Sequence, residues 1–218
     1  MTLAQEINTG KVRAFETVMK LLFFSVTLAL VAPLAACTSN TPGLSAAIQA
    51  PTTQSSPSPR ATLVSVTQNW YNYTAKDGSY TAKFPGQPKA INNSTQTQLG
   101  EIKFVQVMYE DQAKDRAYLT QSNKYPVDPS QYNAEKGLDD VRDSQNNNGK
   151  KVISEKRISL NGFPGRELII QDNKNLLIKS RIFVNPAGPT LFTALVVAGD
   201  GNVNFPEAKT FLDSFMPK

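Results

Sequence analysis

The sequence predicts an α+β fold: a largely antiparallel β-sheet covered by a mid-chain helix and a C-terminal helix. Three observations lead there. Strand-like runs follow one another with short turns between them rather than alternating with helices, which disfavours a doubly wound parallel sheet. Only two stretches repeat their apolar residues at helical spacing, one near the middle and one at the end. One run, "TLFTALVVA" at 190–198, is apolar on both faces, as expected of a central strand covered on both sides.

The elements are expected in this order. "NWYNYTAKDGSYTAKF", residues 69–84, holds two β-rich runs around Lys76, Asp77 and Gly78, a hairpin signal. In its second run Tyr80, Ala82 and Phe84 share one face, and "FPGQP" then ends the strand. "EIKFVQVMYE" and "RAYLTQS" continue the strand pattern. "SQYNAEKGLDDVRDSQNNNG", from Ser130, reads as a helix. Ala134, Leu138 and Val141 fall at i, i+4 and i+7, and Gly149 serves as its stop. Strands follow in "KKVISEKRISLNG", "GRELIIQD", "NLLIKSRIFVN" and "TLFTALVVAG". The chain closes on "NFPEAKTFLDSFMPK". There Asn204 and Glu207 have capping-box spacing, and Ala208, Phe211, Leu212 and Phe215 make an apolar stripe suited to core packing.

Ahead of this domain the chain reads differently. Lys20 precedes an apolar run of about 16 residues, short of the roughly 20 that span a bilayer and interrupted by Pro33. The run ends on Leu34, Ala35, Ala36 and Cys37. That pattern resembles the bacterial lipobox, whose cysteine takes a diacylglycerol and becomes the mature N-terminus. Residues 1–36 are therefore read as a lipoprotein signal peptide, with Met19 an alternative start. Residues 37–68 are read as the lipidated Cys37 and a Ser/Thr/Pro-rich tether, and 69–218 as one globular domain. The resulting expectation is a protein lipid-anchored through Cys37 on the extracytoplasmic side of a membrane, in a periplasm or thylakoid lumen.

The resemblance extends into the domain. "DGSYTAKFPGQPKA", the mid-chain helix, "GFPGRELI" and the final "FLDSFMPK" are similar to uncharacterised bacterial and cyanobacterial lipoproteins. The order of elements resembles the PsbP-like superfamily, which takes in photosystem II extrinsic P subunits, their cyanobacterial lipoprotein forms and DcrB-like lipoproteins. The resemblance spans about residues 69–218 and implies an α/β/α sandwich. Cyanobacterial P subunits usually carry Tyr-Pro-x-x-Trp after the first hairpin. Phe84, Pro85, Gly86, Gln87 and Pro88 stand here without the Trp, which points to a relative sharing the fold rather than a P subunit. No binding residues carry over.

Composition narrows the chemistry. The 218 residues contain no His and one Cys, so His-based triads, His metal sites and intramolecular disulfides are excluded. Neither a Walker loop nor a dinucleotide-binding glycine turn is present, and no cofactor, metal or nucleic-acid partner is expected. The net charge of +5 favours an anionic partner only weakly. Asp139, Asp140 and Asp143 cluster on the mid-chain helix but lack the convergent oxygens of a calcium loop, so a solvated face is expected. Lys150, Lys151, Lys156 and Arg157 are the candidate interaction patch, with a charged strand edge as the other reading. Gly162, Phe163, Pro164 and Gly165 suggest a turn or bulge. Arg166 and Glu167 beside them are either part of that turn or a recognition pair. The sequons at Asn72 and Asn93 carry no meaning in a bacterial lipoprotein. The functional expectation is a non-enzymatic binding or accessory module supporting a membrane-associated complex. A stand-alone ligand- or envelope-binding lipoprotein is the alternative. An enzyme would have to run on Asp, Glu, Ser, Lys or Tyr.

Overall fold

The computed structural model describes residues 69–97, 100–146 and 149–218. Cys37, the signal segment and the tether lie outside them.

Among the described residues, ten strands and two α-helices follow in chain order: β1 (Tyr71–Thr74), β2 (Tyr80–Phe84), β3 (Lys89–Thr97), β4 (Gly100–Asp111), β5 (Arg116–Lys124), α1 (Ala134–Ser144), β6 (Lys151–Leu160), β7 (Phe163–Gln171), β8 (Leu177–Val184), β9 (Thr190–Ala198), α2 (Pro206–Ser214) and β10 (Met216–Pro217). A seven-stranded sheet has the order β3-β4-β5-β9-β8-β7-β6, and every neighbouring pair is antiparallel. A small sheet, β1-β2-β10, lies apart from it. The expected α+β architecture is the one found.

Each face of the large sheet carries a core. Strand β9 sits at its centre and alternates between them: Phe192, Ala194 and Val196 belong to one cluster, Leu191, Leu195 and Val197 to the other. The first cluster takes Tyr80, Ala82 and Phe84 of β2 together with Ala208, Phe211 and Leu212 of α2 and Phe215 beyond it. The second takes Leu138 of α1, fully buried, with Ile178 and Ile182 of β8. Both helices are thus held by apolar stripes, since burial of a side chain of this size stabilises by about 1.5–3 kcal/mol.

Local chemistry explains the boundaries, including those that differ from expectation. The Ala75–Gly78 turn closes the first hairpin, with Gly78 at φ 72° and Asp77 accepting from the Ser79 N–H. Helix α1 begins at Ala134, not Ser130. A short 3-10 turn at Pro129–Gln131 comes first, and the Asn133 side chain then caps α1 by accepting from the Lys136 N–H. The helix ends at Ser144, so Gly149, at φ 78°, belongs to the approach to β6 rather than to the helix stop. The hairpin between β6 and β7 turns on Asn161 and Gly162, both at positive φ, the signature of a two-residue type I′ turn. Phe163, Pro164 and Gly165 are already in strand. The capping box at Asn204 and Glu207 does not form. Pro206 at the first helical position moves the cap to Phe205, which makes no side-chain cap bond. Asn204 instead accepts from Lys179, and Glu207 pairs with Lys114 and Arg116.

Candidate functional site

Helix α1 lies over β7 and β8, so it covers only part of its face of the sheet. Beside it, towards β4 and β5, is a cavity of about 90 Å³. A water needs roughly 10–15 Å³ of such space, so this one holds several waters or a small organic group. Its floor is apolar, with Leu119, Ile178, Ile182 and Leu195 among the lining. Its polar wall is a row of amides that strand alternation places on the inward face. Asn93 donates to Gln106 (2.9 Å), Gln106 to Gln121 (2.9 Å) and Gln121 to Asn123 (2.7 Å). Gln106 and Gln121 are direct cross-strand partners. Gln106 and Asn123 are buried, and an unpartnered buried amide costs about 1–3 kcal/mol. The row satisfies each amide with the next.

The lining is electrically quiet. Burial pushes the Tyr125 phenol up to about 12, against a hydrogen bond with Asn123 that pulls the other way. Asp140, on the helix side, is held by Lys136 at 2.9 and 2.7 Å. Ser144, Gln145, Ser180 and Thr193 complete the polar lining.

Next to the cavity an ionic hub pins α1 to the sheet. Arg166 of β7 is buried, and it reaches Glu135 (2.6 Å) and Asp139 (3.3 Å) on the helix and Glu155 (3.0 Å) on β6. Arg142 adds pairs to Asp139, Asp143 and Glu155, and Arg157 adds one to Glu135. The hydrogen bond from Arg166 holds the Glu135 carboxyl below its ordinary range. Arg166 and Glu167 are not a pair with each other. Adjacent residues on a strand point to opposite faces, so Glu167 meets Arg181 (2.7 Å) and Lys179 (3.5 Å) on the α2 side. Arg181 in turn reaches Asp213 of α2 at 2.7 Å. One Arg on each face ties a helix to the sheet.

The structure places the four candidate cations apart. Lys150 is buried, and desolvation pulls its ammonium below the ordinary lysine range while the Asp172 charge opposes the change. Lys151 and Lys156 are exposed and stand opposite Gln171 and Glu167, on the α2 side of β6. Arg157 stands opposite Arg166 on the α1 side and is tied to Glu135 (3.4 Å). Asp139, Asp140 and Asp143 each face a cation. Among the described residues, no group of three or more His, Cys, Asp or Glu side chains could hold a metal ion.

The amide row was not anticipated from the sequence. Its signal was nonetheless present: Gln121 and Asn123 recur at period two in a strand whose other inward residues, Ala117 and Leu119, are apolar.

Neither a family model nor a curated protein matches the chain. The solved structures similar to it include the following two. The solution structure of cyanobacterial PsbP (CyanoP) from Synechocystis sp. PCC 6803 is 11% identical with a TM-score of 0.46, over 73% of this chain and 98% of that one. PA94 of Pseudomonas aeruginosa, a protein of unknown function, is 13% identical with a TM-score of 0.30, over 62% of this chain and 85% of that one.

Proposed function

We propose that the protein is a lipid-anchored binding module without catalytic chemistry. Cys37 would hold it on the extracytoplasmic side of a membrane, in a periplasm or thylakoid lumen, where it supports a membrane-associated complex. The observation that carries the reading is the state of the polar groups around the cavity. Acid–base catalysis needs a titratable group poised near neutrality and within reach of a reacting atom. Here amides bond to amides, Asp140 is matched by Lys136, and the neighbouring carboxylates are matched by Arg166 and Arg142. Such a surface recognises shape and hydrogen-bonding pattern. The exposed Lys151 and Lys156 extend the interaction surface on the other side of the sheet. The cavity favours a second reading, a stand-alone carrier of a small uncharged ligand.

The anchor follows from Leu34, Ala35, Ala36 and Cys37. Two or three acyl chains, at about 0.8 kcal/mol per buried CH₂, anchor a protein stably on a bilayer. Mass spectrometry of the mature N-terminus is expected to show an acylated Cys37, and Cys37→Ala to move the protein into the soluble fraction or stall it as precursor. A mature chain with an unmodified cysteine would refute the anchor. Affinity purification of the lipidated protein in mild detergent separates the two readings, since the first requires co-purifying membrane proteins in stoichiometric amount.

A further inference from the structure

The large sheet has two outer strands, and the chain treats them differently. An outer strand exposes a row of unpaired backbone groups, and charges or bulges keep foreign strands away. β6 has both. It carries Lys151, Glu155, Lys156 and Arg157, and its register shifts between Val152 and Ser154. β3 has neither. Residues 90–97 read "AINNSTQT", with no charge and no proline, and its register with β4 is unbroken over nine residue pairs. Asn92 and Ser94 are exposed, and no strand among the described residues pairs with the outer edge of β3.

The amide row adds direction. It crosses from β5 through β4 and stops on β3 at Asn93, which uses one N–H on Gln106. A side-chain amide offers two N–H donors and an oxygen with two lone pairs. A row that stops at a sheet edge therefore has capacity for one more member, supplied by whatever strand comes next.

We propose that β3 is a homodimerisation edge, on which two copies pair their β3 strands antiparallel about Asn93 and join two seven-stranded sheets into one. This goes beyond the binding-module reading and does not depend on it. In that register Asn93 falls opposite its own counterpart, so the two amide rows meet and become one. Asn92 falls opposite Ser94, and Ile91 opposite Thr95. No like charges oppose each other along residues 90–96. A two-fold axis closes the assembly, so nothing further is added.

Sedimentation of the full chain in mild detergent, over a wide range of concentration, tests this. The wild type is expected to reach the mass of two chains. Asn92→Glu with Ser94→Glu puts like charges opposite each other at two points and is expected to halve that mass. Ser94 lies beside Lys103 on β4, so its change to Glu is compatible with folding, and an unchanged melting temperature checks this. Asn92→Lys with Ser94→Glu differs only at position 92, places opposite charges across the same register and is expected to restore the dimer. The proposal is overturned if the wild type stays monomeric throughout, including as a monomer that pairs β3 with another protein's strand. It is equally overturned if the doubly acidic variant remains dimeric, or if both variants are monomeric.

Discussion

Arg166 is buried at the junction of α1, β6 and β7, yet each of its three carboxylate partners keeps part of its side chain in water. That asymmetry sets the energetics. Breaking a fully buried pair costs about 3–5 kcal/mol, because one charge is left without a partner in a poor solvent. Here the abandoned groups would be Glu135, Asp139 and Glu155, which water can partly re-solvate. Arg166→Met is accordingly expected to destabilise the domain by about 1–3 kcal/mol. Arg157→Ala removes a pair whose cation is largely exposed and should cost under about 1 kcal/mol. Urea unfolding of both variants decides the matter; equal losses would mean that Arg166 is not the hub.

At the scale of elements, α2 shows what an apolar stripe does. Phe211 is fully buried and meets the rings of Phe84 at 5.1 Å and Tyr118 at 5.4 Å, joining β2, the large sheet and the helix. Phe211→Ala leaves a cavity on top of the lost transfer energy and should cost about 3–5 kcal/mol. Lys209→Ala on the exposed side loses only its pair with Asp213, worth about 0.5 kcal/mol. If Phe211→Ala kept its unfolding midpoint, the stripe would not be core. Elements of this kind were legible in the sequence because burial writes a period into it: Tyr80, Ala82 and Phe84 at two, Ala208, Phe211 and Leu212 at three and four. β3 was not legible. Its inward Ile91, Asn93 and Thr95 are only half-buried and its outward residues are in water, so nothing forces an apolar alternation. β10 is two residues long, too short to carry a period. The cap of α2 was misread because Pro206, whose ring fixes φ, outweighs a spacing that suggested Asn204. The amide row escaped for a related reason. Polar residues on an inward face look like solvent-facing ones until the neighbouring strand is known, and only the pairing of Gln106 with Gln121 shows that they satisfy one another.

For the whole molecule, charge couples the fold to acid. Glu135 and Glu207 are held below the ordinary carboxylate range chiefly by hydrogen bonds from Arg166 and Lys114. Glu167 and Asp213 are also lowered: burial works the other way but is outweighed by Arg181 together with Lys179 and Lys209. Each carboxyl takes up a proton less readily folded than unfolded. Their contribution is therefore complete above the unfolded values, about 4, and is lost as pH falls through the depressed folded ones. The chain has no His, the side chain that ordinarily titrates between pH 5 and 8. Thermal melts should thus be nearly level from neutrality to about pH 5 and fall steeply below about pH 4. A midpoint already dropping between pH 7 and 5 would contradict this assignment. The small sheet carries a different consequence, for the order of events in time. β2 is among the first strands of the domain and β10 is the last, yet they pair, and the Lys83 N–H donates to the Ser214 hydroxyl across 131 residues. Contacts so distant in sequence raise contact order and slow folding. Until α2 and β10 leave the ribosome, Tyr80 and Phe84 have no Phe211 or Phe215 to close against. The α2-side core of a nascent chain therefore stays open until α2 and β10 have emerged, by connectivity alone.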